Sequence, residues 1–318
     1  MEKIHPQVYR LPAPTIRDFE AHSYLFLGDE PTLMDTAFRH LVEPHFVPAL
    51  KELGLKLSDI ARIINTHAHP DHLGGNGVIQ AASPQVQILV HEDDEPMTRG
   101  PASIHTSAHD MAVILKVLGK EEMYAQREKF IQTVVGDFRV SRFLKHGETI
   151  DLGKGIELQV LHAPGHTPGS AVFYWEREGM LFTGDAVQGR SVFPGELPLY
   201  FMADAYMRTA ARLAELEVKT LCLAHGFQSR SAYNFPVRRG EGAKDFIRES
   251  LELAKKVDAA VVTVLHEDID RNDLVRVAAS VMEKLKYDLP VIYSRALGLP
   301  LPTLACVRAH LLDRLAEA

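Results

Sequence analysis

Three imidazoles and a carboxylate fall within six residues at His67-Ala68-His69-Pro70-Asp71-His72. A run that dense cannot be a buried apolar strand, because each imidazole would need its own polar partner. The first two histidines are two residues apart, not at the i, i+4 spacing that sets two rings on one helix face. On an extended segment or tight loop, side chains two apart share a face, so both rings aim the same way. Asp71 and His72 then stand at the turn into a helix, which Gly74 and Gly75 accommodate sterically. Imidazole nitrogen and carboxylate oxygen suit zinc and its borderline neighbours. Taken alone, the stretch could still be a solvated histidine-rich loop.

Further along, three single residues repeat the design. His166 sits in Ala163-Pro164-Gly165-His166-Thr167-Pro168-Gly169-Ser170, a loop made rigid by two prolines and two glycines. Asp185 follows the strand Met180–Thr183 and sits beside Gly184. His225 ends the apolar strand Thr220–Ala224, next to Gly226. A lone histidine at a strand end is more often structural than a ligand. Four sites built alike argue for convergence on one centre. A cation held there could lower the pKa of a bound water from about 15.7 toward about 7, making a nucleophile for a carbonyl or phosphorus. Asp71 is placed to be both a ligand and the acceptor of that water's proton. Gly-x-Ser-x-Gly, the nucleophile elbow of another hydrolase fold, does not occur.

The elements that must position these residues alternate. Residues 6–36 read as short strands in a meander, and 40–54 as a helix with Gly54 as its C-cap. Residues 61–66 form a strand that delivers the histidine run at its C-terminal end, where α/β proteins commonly place ligands. A helix over about 73–82 and a strand over 86–90 complete a βαβ-like unit. Residues 92–146 read as one or two inserted helices, serving as extra core or as a lid over a substrate pocket. From 147 the strand pattern returns, with a hairpin turning at Lys154-Gly155 and a helix over about 204–216. Residues 243–257, 273–286 and 304–315 are helical by pattern, with Asp270 or Asn272 capping the second.

Composition bounds the rest. The chain has 318 residues, 46% hydrophobic and 24% charged, which is ordinary globular usage. Its net charge of −7 carries no basic footprint for nucleic acid. Cys222 and Cys306 give neither a disulfide framework nor a cysteine zinc site. No signal-peptide core and no apolar run of about 18 residues is present, so a cytoplasmic protein without membrane partners is expected. Met- and Phe-rich surfaces in 97–143, or the C-terminal helices, could pair two copies as a homodimer.

The run from His67 to Gly75, then Gly165-His166-Thr167-Pro168-Gly169-Ser170, Phe182-Thr183-Gly184-Asp185-Ala186 and Ala224-His225-Gly226, resembles the metallo-β-lactamase-fold hydrolase superfamily. It is most similar to the glyoxalase II-like members. The resemblance implies an α/β (α+β) fold, a four-layer αββα sandwich over residues 1–240 with the site on one edge. It puts His67, His69 and His166 on a first metal, Asp71, His72 and His225 on a second, and Asp185 between them. The two ions would be zinc, with manganese or iron accepted by the same donors. His69 is not replaced by an acid, which argues against an oxygen-reducing di-iron centre. Asp185 is not a cysteine, which argues against antibiotic hydrolysis. The region 241–318 resembles the small winged-helix-like appendage of a branch that includes an endoribonuclease.

The expected function is hydrolysis of a small ester, thioester or lactone, as a thioesterase or lactonase. A metal-dependent ribonuclease is the alternative, and a non-catalytic ligand-binding module the third. Asp35 could orient a ligand imidazole or only make a turn. Tyr200, Tyr206 and Tyr233 are candidate oxyanion-stabilising hydroxyls. Arg238 and Arg239 could bind a substrate carboxylate or phosphate, a solvated loop being the plainer reading. His22, His91 and His162 read as structural histidines or as pocket residues.

Overall fold

The computed structural model describes residues 1–15, 19–191, 193, 195–228, 235–286 and 298–317. Seven strands form the first sheet in sequence order: β1 (Glu2–His5), β2 (Val8–Pro14), β3 (Glu20–Leu27), β4 (Pro31–Met34), β5 (Arg62–Ile64), β6 (Gln87–His91) and β7 (Arg142–Leu144). β1 to β4 pair antiparallel, and β4 to β7 parallel. The second sheet holds β8 (Thr149–Asp151), β9 (Glu157–His162), β10 (Ala171–Trp175), β11 (Met180–Gly184), β12 (Thr220–Leu223) and β13 (Val237–Arg239). There only β11 and β12 are parallel.

The α-helices are α1 (Val47–Glu52), α2 (Pro70–Leu73), α3 (Asn76–Ala82), α4 (Pro101–His105), α5 (Ala112–Val117), α6 (Glu121–Val134), α7 (Ala203–Leu213), α8 (Glu241–Leu265), α9 (Leu274–Lys284) and α10 (Leu301–Ala316). The αββα layering follows from strand alternation. In β3, Tyr24 and Phe26 face the second sheet and join a core with Phe173, Trp175 and Phe182. Leu25 faces the other way and packs with Phe46, Leu50, Ile79 and Ile131 from the outer helical layer. In β11, Leu181 packs outward with Ala210, Leu213 and Phe246, while Phe182 points between the sheets. Strands covered on both faces are apolar at successive positions, as these are.

Several elements differ from the sequence reading. The segment 92–146 is helical only as far as Val134, and Arg142–Leu144 adds to the first sheet beside β6. Three residues are too few for a period of two to show. The helix expected over 40–54 is a 3-10 turn, a π turn and then α1, with Pro44 and Pro48 in the run. The helix expected over 73–82 is split by Gly74 and Gly75 into α2 and α3. The cap of α9 is Asp273, whose side chain accepts from Arg276 N, not Asp270 or Asn272.

The C-terminal region is built into the molecule. Phe246 and Ile247 of α8 pack on the second sheet. Further along α8, Val257 and Val261 join a core with α9, α10, Ile114, Tyr200 and Phe201. A winged helix would need a strand pair. Among the described residues from 241 onward all regular structure is helical. No helix among them is long and apolar enough to cross a membrane.

The inter-sheet core sets stability. Phe173 is fully buried there. Replacing it with alanine is expected to lower unfolding free energy by about 3–5 kcal/mol, measured by denaturant titration.

Candidate metal centre

The C-terminal ends of the parallel strands share one edge, and the chemistry-bearing residues follow them. Asp35 follows β4, His67 lies just past β5, Asp185 follows β11, and His225 lies just past β12. The two sheets are bonded together at this edge. His22 N donates to Ala224 O at 2.7 Å, Ala171 N to Thr66 O at 2.9 Å, and Tyr24 OH to Leu223 O at 2.6 Å. Gly184 is required by close approach: its φ is +51°, and a Cβ there would lie 2.3 Å from Thr66 Oγ1.

Five imidazoles turn one nitrogen inward. His67 Nε2 and His69 Nδ1 are 3.1 Å apart, His69 Nδ1 and His166 Nε2 2.7 Å, and His166 Nε2 and His67 Nε2 3.1 Å. Beside them, Asp71 Oδ2 lies 3.4 Å from His225 Nε2 and 3.9 Å from His72 Nε2. Asp185 spans both halves, with Oδ2 3.5 Å from His166 Nε2 and Oδ1 3.6 Å from His225 Nε2.

The outer nitrogens settle the tautomers through their partners. His69 Nε2 donates to His109 O at 2.6 Å, His166 Nδ1 to Leu199 O at 2.6 Å, and His225 Nδ1 to Glu20 O at 2.7 Å. His72 Nδ1 donates to Asp35 Oδ2 at 2.9 Å. His67 Nδ1 meets Thr66 Oγ1 at 3.1 Å, and that hydroxyl donates on to Asp35. Each outer nitrogen therefore carries a proton, and a ring that is neutral presents a lone pair at its inner nitrogen. Lone pairs facing one another at these distances repel unless a cation lies among them. Among the described residues, buried His72 Nε2 and Asp185 Oδ1 have no hydrogen-bond partner. The donor set fits divalent cations.

The charges agree. Burial, with the neighbouring rings, pushes His67 and His166 well below the usual imidazole range, so both are neutral donors. Burial acts the same way on His72, but Asp35, Asp71 and Asp185 outweigh it and raise its pKa to about 10. Burial alone would raise Asp71, yet His72 and His225 hold it well below the usual carboxylate range.

The chain matches the metallo-beta-lactamase superfamily over residues 19–225. It belongs to that superfamily. The YobT protein of Bacillus subtilis (strain 168) is 27% identical over 249 residues, covering 75% of this chain and 92% of its own. A hydroxyacylglutathione hydrolase of Methylococcus capsulatus is 26% identical over 273 residues, covering 84% of this chain and 86% of its own. The crystal structure of a metallo-beta-lactamase family protein from Thermus thermophilus superposes with TM-score 0.73 at 22% identity, covering 99% of this chain and 95% of that one. Membership makes this chain a metallo-hydrolase of the superfamily, the enzyme class expected from its motifs.

Several groups hold the superfamily site in place without standing out in the sequence. Asp94 accepts from Ala68 N at 2.8 Å, Thr167 Oγ1 at 2.8 Å and Gly169 N at 2.7 Å, so one buried carboxylate joins the His67 and His166 loops. A Cβ on Gly169 would come 2.3 Å from Asp94 N. Asp94 sits in Glu92-Asp93-Asp94-Glu95, which reads as an acidic surface turn. Gln188 Nε2 lies 3.3 Å from His166 Nδ1, and Gln188 Oε1 accepts from Leu199 N. Asp35 performs the orienting role, at a left-handed φ of +59°. Arg127 holds Asp110 at 2.6 Å, which pins the loop whose His109 carbonyl receives His69. The insertion thus contributes to one side of the site through His109.

The expected substrate residues are placed elsewhere. Tyr200 is fully buried and bonds His310 Nε2 at 2.7 Å. Tyr206 OH accepts from Gln188 N at 2.8 Å. Neither hydroxyl faces the cluster, because α8 and α10 cover them. Tyr233 lies outside the described residues. Arg238 is buried on β13, donates to Phe227 O at 2.6 Å and lies 4.3 Å over the Phe246 ring, so it is no solvated loop cation. Arg239, on the same strand, donates to Ile4 O at 3.0 Å. His22 accepts from Arg10 at 3.0 Å, and burial lowers its pKa to about 2. His162 stacks on His91 at 4.2 Å and donates to Pro168 O at 2.7 Å, bracing the His166 loop.

Two outcomes follow. Asp94→Ala should weaken metal binding about 10–100-fold in a chelator competition, and Asp94→Asn should too, because its amide would face an N–H donor. With His72 raised to about 10, the metal-free ring is protonated at pH 7 and must lose that proton to ligate. Calorimetry in two buffers of different ionisation enthalpy should therefore show at least about one proton released per chain on metal binding.

Proposed function

We propose that this chain is a dinuclear metal-dependent hydrolase of a small thioester, ester or lactone. The observation that carries it is Asp185, whose two oxygens reach the two halves of one buried donor cluster. His67, His69 and His166 would hold one cation, and Asp71, His72 and His225 the other, with Asp185 shared. Zinc suits the donors, and manganese or iron fits the same set. Bound there, such ions supply water activation and polarisation of an acyl oxygen.

The chain's own residues do the rest. Asp71 is the cluster carboxylate that solvent reaches, its side chain 26% exposed against 8% for Asp185. It is ionised and accepts a hydrogen bond from the attacking water, directing the oxygen lone pair at the acyl carbon. As the acyl bond breaks, the water's proton passes by way of Asp71 to the departing thiolate or alkoxide. Phe19 stacks on His225 at 4.5 Å, and Phe201 lies 6.1 Å from His69. These rings make apolar walls on both sides, which suits an acyl group and excludes bulk water. The similarity to a hydroxyacylglutathione hydrolase, which by its name acts on a thioester, supports an acyl substrate. The net charge of −7 weighs against RNA.

The test is turnover by metal-loaded protein on a panel of thioesters, esters and lactones, with a β-lactam as control. Asp71→Ala should lower kcat by about 100-fold or more on the best substrate. Two ions bound per chain and no turnover anywhere on the panel would sink the proposal.

A further inference from the structure

The stretch from Gly195 to Met202 has no helix or strand of its own, yet it supplies the outer partner of His166. Its Leu199 carbonyl accepts from His166 Nδ1 at 2.6 Å, and Leu199 N donates to Gln188 Oε1 at 2.8 Å. Phe201 N and Met202 N both donate at 3.0 Å to the carbonyl of Gly165, the residue before His166. Backbone without a ladder of its own must be fixed from outside. α10 does this along its length. Thr303 Oγ1 accepts from Leu197 N at 3.1 Å and donates to Gly195 O at 2.8 Å. Asp313 Oδ2 accepts at 2.8 Å from the backbone N of Asp204, where α7 begins. Between these ends, His310 Nε2 meets the Tyr200 hydroxyl at 2.7 Å.

The middle contact is part of a polar chain inside an apolar core. Tyr200 and His310 are both fully buried, and Tyr200 belongs to the core built from Ile114, Val257 and Leu304. His310 Nδ1 donates to Asp258 Oδ1 on α8 at 3.0 Å, and Arg314 Nε reaches the same oxygen at 2.9 Å. The bonds from His310 and from Arg314 hold Asp258 below the usual carboxylate range, so it is ionised and accepts. In the neutral ring this leaves His310 Nε2 to accept from the Tyr200 hydroxyl. Apolar contacts let side chains slide, whereas a satisfied buried hydrogen-bond chain fixes one position. The effect passes directly to the site, because the Leu199 carbonyl and the Tyr200 N and Cα lie in one planar peptide unit. Holding Tyr200 by its hydroxyl end limits how that carbonyl can turn. A carbonyl turned away from His166 would leave the Nδ1 proton without an acceptor and free the ring to rotate.

We propose that His310 is a positioning residue of the metal centre, acting through Tyr200 to hold the Leu199 carbonyl against His166. Asp258 fixes the His310 ring for that task. The inference rests on the metal-binding part of the reading above, the cation held by His67, His69 and His166, and not on the substrate. The competing account is that the Tyr200–His310 bond only docks α10 on the rest of the fold.

The test uses the full chain with Tyr200→Phe, His310→Leu, His310→Gln and the double variant Tyr200→Phe/His310→Leu. Val281→Ala opens a cavity in the same core from α9 and is the control for general loosening. Zinc affinity is read by chelator competition. Tyr200→Phe and His310→Leu should weaken one zinc about 10–100-fold and leave a second unchanged. His310→Gln, whose amide can still accept from Tyr200 and donate to Asp258, should recover most of the loss. The double variant orphans neither partner and so folds more readily, yet it should bind as weakly as the single variants. A second readout is hydrogen exchange of ring N–H protons in the zinc-loaded proteins, followed by NMR. The His166 Nδ1 proton, which bonds Leu199 O, should exchange about 10-fold faster or more in Tyr200→Phe and in the double variant. The His225 Nδ1 proton, which bonds Glu20 O, should keep its wild-type rate. Val281→Ala should change neither the affinities nor the ratio of the two exchange rates. The positioning role is overturned if the double variant keeps wild-type zinc affinity and a wild-type His166 rate. It is also overturned if the His166 and His225 protons speed up alike, or if the wild type takes up no zinc. No turnover is read, so the expected results in an inactive protein keep the positioning role while the hydrolase reading falls. An active enzyme whose double variant binds zinc like wild type keeps the hydrolase reading while the positioning role falls.

Discussion

Three imidazole nitrogens with lone pairs facing inward, 2.7–3.1 Å apart and buried, are the constraint on which the rest depends. Nothing in a folded chain brings such groups together without compensation. Left to themselves the rings would rotate away or bind protons, and burial opposes protonation of His67 and His166. The arrangement holds because every outer nitrogen is tied to a fixed acceptor: three backbone carbonyls, the Asp35 carboxylate and the Thr66 hydroxyl. The carboxylates of Asp71 and Asp185 then make the centre attractive to positive charge.

Those acceptors come from distant parts of the chain, which explains why the fold is needed for so small a centre. Glu20 lies on the first sheet and serves His225 just past β12 of the second. His109 belongs to the inserted segment and serves His69. Leu199 belongs to a stretch covered by α8 and α10, and serves His166. Asp94 joins the two loops from below. The core between the sheets sets their spacing, so packing energy and ligand geometry are coupled.

The C-terminal helices enter the same design. Tyr200 joins α10 through His310, and stacks at 4.1 Å on Tyr206, which bonds Gln188 beside His166. α8 and α10 therefore brace one wall of the site. The reaction type resides in the donor cluster. Around it stand Phe19, stacked on His225, and Phe201, beside His69.

The sequence by itself determined the candidate donor set. His67, His69, Asp71 and His72 could be read as one dense run past a strand, and His166, Asp185 and His225 as metal-competent residues beside glycine in rigid turns or at strand ends. The α/β layering was legible for the same reason: strands such as β3 and β11 alternate or stay apolar over enough residues to show a period. β7 and β13, at three residues each, could not show one. Only the tertiary structure decided which groups orient the donors. Asp94 is one of four consecutive acids with nothing local to single it out, and the backbone carbonyls that receive the rings have no sequence signal at all. Tyr200, Tyr206 and Arg238 carry suitable chemistry, yet long-range packing turned them into the protein. Side-chain type is local information, whereas direction and burial depend on distant neighbours, 205 positions apart for Glu20 and His225.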